Sequence, residues 1–134
     1  MRGRGCLYVL ALVAAFAAPA RAQALLPVPS GQPVELADIL LDDNPGELWI
    51  RFRFIAPKIG DQAGQIPYDV VAIDMEHLCT ILAVPYVESR QITPARVIIS
   101  MSDRPVAFGT SQPGSTQYFE AYRLRESRCI WEEF

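Results

Sequence analysis

Two cysteines, Cys79 and Cys129, constrain the fold of this chain more than any other sequence feature. They lie 50 positions apart, and they are the only cysteines left if the N-terminus is removed on export. Two thiols in an oxidising compartment most simply pair with each other. A disulfide over this span stabilises the folded chain by about 4 kcal/mol in the loop-entropy model. We therefore predict a Cys79–Cys129 disulfide, with a reactive or metal-bound thiolate as the alternative.

Residues 1–22 are predicted to be a secretory signal peptide. They combine a positively charged start, an apolar run over residues 7–18 and the A-x-A cleavage pattern Ala20-Arg21-Ala22. We expect cleavage after Ala22, with Ala24 as the second choice, and either cut removes Cys6. A buried N-terminal helix is the alternative, but the flanking charge and the cleavage pattern agree on export. The protein is thus expected to be periplasmic or secreted.

Cleavage also changes the charge of the chain. Of the 12 Lys and Arg residues nine remain, against 15 Asp and Glu, so the mature protein carries a formal net charge of −6. Such an acidic chain is not expected to bind nucleic acid or anionic lipid.

No later apolar segment approaches the length of a membrane span, so no stable span is expected after cleavage. Residues 23–134 have the length of one domain, which begins with a Pro-rich segment over residues 23–46.

The stretch LWIRFRFI (48–55) is the clearest strand. Its apolar residues alternate with Arg51 and Arg53, which predicts one face in the core and a wetter face opposite. Residues 34–41 fit either a short strand or one helical turn, because so few residues do not define a period.

A helix is predicted after Asp69, where the period changes. Apolar residues recur at helical spacing and form one stripe: Val71, Met75, Leu78 and Leu82. Asp69 is expected to cap this helix and Pro85 to end it. The alternative is a strand over residues 68–73, followed by a short helix capped by Asp74.

The C-terminal half is predicted to be sheet. Residues 95–102 are β-branched and apolar, a turn leads into residues 106–108, and residues 109–117 form a surface loop. The last segment is predicted to be a hairpin that turns at Glu126-Ser127. Its cross-strand pairs would be Arg125–Arg128, Leu124–Cys129 and Tyr122–Trp131. The fold class is therefore α+β, with an antiparallel sheet of about four or five strands, one main helix on one face and one disulfide.

The segment DMEHLC (74–79) gathers acidic residues, the only histidine and Cys79. On a helix His77 and Cys79 point about 160° apart, so they cannot form a catalytic dyad. A zinc site needs three or four protein ligands, which one histidine and two paired cysteines do not supply. We interpret Cys79 as a covalent anchor beside core residues, and the polar side chains of this segment as incidental.

Sequence motifs of common catalytic sites are missing. The chain has no G-x-S-x-G elbow and no Gly-rich phosphate loop, and His77 is the only histidine that could act as a base. Glu132 and Glu133 are adjacent on a predicted strand and point to opposite faces, so they do not form a carboxylate pair. No catalytic residue, metal or cofactor is predicted.

Arginines on predicted strands are the candidate binding residues: Arg51, Arg53, Arg96 and Arg123. If these side chains share one open sheet face, the guanidinium groups could hold carboxylates or phosphates bidentately. A solvated face on which the arginines pair with Glu120, Glu126 and Glu132 is the simpler interpretation.

Four segments resemble a small family of secreted proteobacterial proteins of unknown function: WIRFRFIAP, DMEHLC, SDRPVAFG and FEAYRLRESRCIWE. The resemblance covers most of the mature domain. It implies no catalytic residue, because the family has no established active site. The name acetolactate synthase, associated with some similar chains, does not fit, because an exported chain this short has no room for thiamine-diphosphate domains.

We therefore expect a non-catalytic periplasmic module that binds an unidentified protein or a small anion in the cell envelope. The first alternative is a small periplasmic hydrolase or lyase that uses carboxylates and arginine, and the second is a structural envelope component. An enzyme should have a concave pocket in which acidic residues and arginine converge with shifted pKa values.

Overall fold

The computed structural model describes residues 3, 12–16, 25–61 and 64–133. The predicted cleavage site at Ala22 and the thiol of Cys6 lie outside the described residues. Leu12, Val13 and Phe16 are described and are 91%, 88% and 96% exposed. These apolar side chains therefore contribute nothing to the core of the domain.

One five-stranded sheet forms a layer in which the strands follow chain order. The strands are β1 (Glu35–Asp42), β2 (Trp49–Ile55), β3 (Arg96–Ser102), β4 (Gln117–Arg125) and β5 (Arg128–Glu132). The segment at 34–41, which the sequence left open, is thus the strand β1. Its register with β2 shifts between Leu36 and Asp38, at a β-bulge.

The pairing of β2 with β3 is parallel, whereas the other three strand pairs are antiparallel. The sheet is therefore mixed, and the prediction of an antiparallel sheet was wrong for the pairing of β2 with β3. The reason is the connection: the chain leaves β2, forms the helix and returns to start β3 at the same end of the sheet. The α+β class, the main helix and the disulfide are confirmed.

The main helix runs without interruption from Tyr68 to Ser89. It comprises α1 (Tyr68–Leu78), a wider π-helical turn (Cys79–Ala83) and α2 (Val84–Ser89). The predicted stripe is confirmed, since Val71, Met75 and Leu78 have no exposed surface. Its fourth member, Leu82, is partly buried against the core. The helix begins after Pro67 without a side-chain cap, so Asp69 lies in the first turn and does not cap it.

The helix continues past Pro85, where the sequence predicted its end. A proline inside an α-helix removes a donor and its ring clashes with the carbonyl four residues earlier. Here the Val84 N–H donates to the carbonyl of Cys79, five residues back, so the wider turn accommodates the ring.

The resulting 22-residue helix is long and apolar enough to span a membrane by length and composition, although the sequence predicted no such segment. Its fully buried face against the sheet identifies it as a core helix.

The core lies between this helix and one face of the sheet. Alternate side chains of β2 enter it, and Ile50, Phe52 and Phe54 are at most 1% exposed. The ring of Phe52 meets the ring of Tyr86, on α2, edge to face at 5.4 Å between centroids. We call the opposite side of the sheet, which carries Arg51, the open face.

The C-terminal hairpin has the predicted register: Arg125 pairs with Arg128, Leu124 with Cys129 and Tyr122 with Trp131. Glu126 and Ser127 form its turn with φ values of 50° and 61°, the left-handed geometry that a two-residue hairpin turn requires. A disulfide joins Cys79 in the π-helical turn to Cys129 on β5. The helix is thereby fixed to the edge of the sheet.

Candidate functional site

The four candidate arginines all lie on the open face of the sheet. Arg51 and Arg53 alternate with the core residues of β2, and Trp49 on the same face pairs in register with Arg96 of β3. Arg123 on β4 and Arg96 both approach the carboxylate of Glu132 on β5. The condition that these side chains share one face of the sheet is therefore met.

Each of these arginines forms an ion pair. Arg51 Nε lies 2.9 Å from Asp42 Oδ2, and Arg53 Nη1 lies 3.1 Å from Asp38 Oδ2, so β1 neutralises the two arginines of β2. Arg96 Nε lies 3.6 Å from Glu132 Oε2 and 3.8 Å from Glu47 Oε1. Both atoms of the Arg96–Glu132 pair are buried, and neither forms a hydrogen bond with the described residues.

The expected partners of the arginines were only partly right. Glu132 does pair with Arg96 and Arg123. Glu120 does not, because it alternates with the neighbouring β4 residues and lies on the helix side, where it accepts a hydrogen bond from Trp131. The sequence missed Asp38 and Asp42, because residues 34–41 could not be assigned to a strand facing β2.

Residues 103–116, which we call the cover segment, fold back over the open face. Asp103 closes its base, since its N–H donates to Thr116 O and its Oδ1 accepts from Thr116 N, both at 3.0 Å. Burial raises the pKa of Asp103, but hydrogen bonds from Arg104 and Thr116 outweigh it and hold the pKa below its usual range. The carboxylate therefore stays ionised and keeps the base of the segment closed.

Gly60 makes room for this base. A Cβ atom at position 60 would lie 2.5 Å from Asp103 Oδ2 and 3.0 Å from Asp103 Cβ, which is closer than such contacts allow. The absence of a side chain at Gly60 thus lets the 3-10 turn Pro57–Ile59 pack beside the cover segment.

The cover segment is fastened to the sheet through the two arginines of β2. Arg53 Nη2 donates to the carbonyl of Val106 at 2.5 Å. The ring of Phe108 lies over both guanidinium groups, 5.3 Å from Arg51 Cζ and 5.6 Å from Arg53 Cζ. The sequence predicted strand at 106–108, but these residues form no strand and supply the contacts that build the site.

Two cavities lie between the sheet and the cover segment. The larger, of about 480 Å³, is bounded by Asp38, Arg53, Ser102 and Val106. The smaller, of about 170 Å³, combines the two guanidinium groups with apolar and hydroxyl or amide side chains. Its lining includes Arg51, Arg53, Ile98, Ser100, Phe108 and Phe119. This mixture suits a small ligand with one anionic group and an apolar body.

Arg51, in the smaller cavity, is held by one carboxylate and two aromatic rings. Its guanidinium lies 5.3 Å from the ring centroids of both Trp49 and Phe108. Its Nε donates to Asp42, whose pKa is lowered by the backbone N–H of Asn44 and by Arg51 itself. Its two terminal Nη groups donate no hydrogen bond to any described residue. They are therefore available to an acceptor from outside the chain.

The segment DMEHLC has a role that the sequence did not reveal. Asp74 has no exposed surface and accepts hydrogen bonds from Ser30 N at 2.9 Å, Ser30 Oγ at 2.5 Å and Gln32 Nε2 at 2.7 Å. It therefore holds the N-terminal turn against the helix, and calling its side chain incidental was wrong. His77 is half-buried on α1. Within the described parts of the chain, no three His, Cys, Asp or Glu side chains are placed to hold a metal ion.

Comparison with known proteins identifies a family but no function. No curated protein and no solved structure matches the chain. A family model described as a family of unknown function (DUF6497) matches residues 10–134. The match includes the five described strands, the helix and the two cysteines of the disulfide. This match agrees with the resemblance to a family of unknown function, and the chain belongs to DUF6497.

Proposed function

We propose that this protein is a non-catalytic binding module exported to the periplasm, and that its ligand is a small monocarboxylate with an apolar body. The observation that carries the proposal is Arg51. Its guanidinium lies 5.3 Å from the centroids of two aromatic rings at the smaller cavity, and its terminal Nη groups have no acceptor among the described residues. A carboxylate is the group that such a planar fork binds with two parallel hydrogen bonds.

The charges around Arg51 favour a monoanion. Asp42 and Asp38 already neutralise Arg51 and Arg53, so the cavity offers directed donors with little net positive charge. A phosphate dianion would meet the field of an acidic chain without a surplus of cations to compensate it. The rings of Phe108 and Phe119 and the side chain of Ile98 supply apolar contact for the rest of the ligand.

The open face is less suited to a hydrolase or lyase. General acid or base catalysis by a carboxylate needs a group whose pKa lies near the working pH. Asp42 and Asp38 are instead engaged by arginine, and the pKa of Asp42 is lowered by the N–H of Asn44 and by Arg51. Binding without chemistry is therefore the function that this geometry supports best.

The test uses disulfide-bonded protein isolated from the periplasmic fraction, with the N-terminus read by mass spectrometry and expected at Gln23. Phenylacetate is titrated into the wild type and into Arg51→Lys, and backbone amide shifts are followed by NMR. We expect the shifts to concentrate at Ile98 and Phe108, and the affinity to fall about tenfold in Arg51→Lys, because lysine keeps the charge but loses the two-pronged donor.

Arg125→Lys is the matched control, because Arg125 is exposed at the end of the hairpin and should leave the affinity unchanged. Phenylacetamide tests the anionic group and should not bind. Equal binding of the amide, or equal affinity of the Arg51→Lys variant, would refute carboxylate recognition by Arg51. Tighter binding of inorganic phosphate would refute the preference for a monoanion.

A further inference from the structure

A third cavity, of about 250 Å³, lies on the helix side of the sheet. It is formed between α1 and the strands β4 and β5, on the face opposite the arginines. Its lining consists of aromatic, acidic and small apolar side chains: Tyr68, Ala72, Ile73, Glu76, Glu120, Tyr122 and Trp131. It contains no basic residue, so its chemistry is the reverse of that of the open face.

Glu120 is a buried carboxylate without a cationic partner. It is 6% exposed, and it accepts hydrogen bonds from Trp131 Nε1 at 2.5 Å and from the hydroxyl of Tyr68. These neutral donors fix the two carboxylate oxygens in place. Across residues 25–61 and 64–133, no Lys, Arg or His side chain forms an ion pair with Glu120 or with Glu76. A buried charge is normally paired, so this carboxylate lacks its expected counter-ion.

Tyr122 adds an unused polar group to the same cavity. Its side chain is 2% exposed, and the hydrogen bonds described in this cavity join Glu120 to Tyr68 and Trp131 without involving the Tyr122 hydroxyl. Burial and the charges of Glu120 and Glu76 raise the pKa of this phenol, so it stays neutral. Both carboxylates therefore act electrostatically on the same hydroxyl group.

The mouth of the cavity is aromatic and apolar. Tyr68 and Trp131 are 47% and 56% exposed, although each donates a hydrogen bond to the buried Glu120. The ring of Tyr118 meets that of Tyr68 at 5.2 Å between centroids, which extends the aromatic wall. Aromatic faces combined with a carboxylate attract ammonium groups, whereas a divalent metal requires several oxygen ligands.

We propose that this cavity binds an alkylammonium group, carried either by a small amine or by a lysine side chain. The ammonium lies between Glu120, Glu76 and the Tyr122 hydroxyl oxygen, and its alkyl chain leaves along Ile73 and the exposed rings. A volume of about 250 Å³ holds roughly eight waters at liquid density, enough for an ammonium group with a short alkyl chain. This site shares no lining residue with the proposed carboxylate site, and its test does not depend on the outcome for that site.

The first experiment titrates n-butylammonium chloride into the disulfide-bonded protein and follows the indole N–H signal of Trp131 by NMR. The same titration with 1-butanol tests the role of the positive charge. Binding of butylammonium with a shift at Trp131, and no comparable shift with 1-butanol, is the expected result. Equal effects of the two compounds would overturn the proposal, because they would show a merely apolar cavity.

Three variants distinguish binding in the cavity from nonspecific attraction of the ammonium group to the acidic chain. Glu76→Gln removes a carboxylate from the exposed side of α1, and we expect butylammonium to bind about tenfold more weakly. Tyr122→Phe removes only the hydroxyl and should weaken binding less. Glu133→Gln makes the same charge change at an exposed position beyond β5 and should have no effect. Equal losses in Glu76→Gln and Glu133→Gln would overturn the proposal in favour of nonspecific attraction.

A second titration identifies the source of the ammonium group. Nα-acetyl-lysine amide presents the lysine side chain as it occurs in a protein, whereas butylammonium represents a free amine. Tighter binding of the lysine derivative assigns the cavity to a partner protein, and tighter binding of butylammonium assigns it to a small amine. Failure of both to bind at millimolar concentration would refute the site.

Discussion

Asp74 determines where the N-terminal segment lies, through one buried carboxylate. Residues 28–34 contribute Val28 and Val34 to the core, yet they contain no helix or strand that could hold them there. The two oxygens of Asp74 replace such an element by accepting bonds from Ser30 and Gln32. A single helical residue thus positions a stretch of chain more than 40 positions away.

Asp74→Ala should lower the free energy of unfolding by about 2–4 kcal/mol, because buried donors of Ser30 and Gln32 lose their acceptor. Urea denaturation with an unchanged m-value measures the loss. Glu76→Ala, two residues further along and on the exposed side of α1, is the control and should cost less than about 0.5 kcal/mol. A loss below 1 kcal/mol in the Asp74 variant would contradict this assignment.

The burial of Asp74 was accessible from the sequence, but its partners were not. Asp74 follows Val71 by three residues and precedes Leu78 by four, so the predicted helix already placed it on the apolar stripe. A polar residue on such a stripe requires a hydrogen-bond partner. Nothing in the local pattern identifies Ser30 or Gln32, because that contact depends on tertiary packing.

Asp42 should make stability depend on pH in the acidic range. Its pKa in the folded protein lies below the ordinary value of 3.8, chiefly through the Asn44 N–H and then through Arg51. A lowered folded-state pKa gives stability that is present above the unfolded-state value and is lost as the pH falls through the folded-state value. The difference in unfolding free energy between wild type and Asp42→Asn should therefore shrink on acidification. Denaturation curves from about pH 6 to pH 2 measure it, and a constant difference would contradict the role of this ion pair.

The helix and β5 are joined both by packing and by a covalent bond. The disulfide connects the π-helical turn with an edge strand, two elements that the chain would otherwise hold together only by side-chain contacts. Its position follows directly from Cys79 on the buried side of the helix and from the register of the hairpin. Both were predictable, because helical spacing and the period of two are local properties of the sequence.

Removing the bridge should lower the free energy of unfolding by about 4 kcal/mol, since 50 positions of the unfolded chain are released. Chemical denaturation of Cys79→Ala/Cys129→Ala against the oxidised wild type measures this effect. Wild-type protein kept reduced is the matched control, because it retains both sulfur atoms and isolates the loss of the bond. A difference below about 1 kcal/mol between oxidised and reduced protein would contradict the loop-entropy account.

Pro85 shows the limit of local rules at the scale of an element. The rule that proline ends a helix assumes regular α-helical hydrogen bonding in the preceding turn. The π-helical turn Cys79–Ala83 does not have this hydrogen bonding, so the rule does not apply at Pro85. The sequence CTILA contains no residue that would predict a π-helical turn. The same turn carries the disulfide, so the irregularity lies where the helix is fixed to the sheet.

At the scale of the molecule, the sheet separates two surfaces of opposite chemistry. Strand β4 contributes to both, since Phe119 lines the arginine cavity while Glu120 and Tyr122 line the acidic cavity. The alternation of one strand thus produces both cavities. The period of two places Glu120 with Tyr122 and away from Phe119, although Glu120 was expected to pair with the arginines. The cover segment could not be predicted, because its contacts with Arg51 and Arg53 join residues about 55 positions apart.

The parallel pairing of β2 with β3 could not be predicted from the sequence either. Both β2 and β3 have strand patterns, but a pattern of alternation does not state which strand lies beside which. The helix between them was predicted, and a strand–helix–strand order does permit a parallel crossover. The choice between that crossover and an antiparallel return depends on packing of the whole core.

Among the residues that the structure describes, β1 and β5 are the edge strands of the sheet, and another polypeptide could extend either edge by hydrogen bonding. The bulge at Leu36–Asp38 interrupts the ladder of β1, so an incoming strand would lose its register there. Strand β5 is only five residues long and carries charged residues at both ends, Arg128 and Glu132. Both edges therefore resist self-association into extended β-structure, so that pairing of sheet edges would not cover the cavities on either face of the sheet.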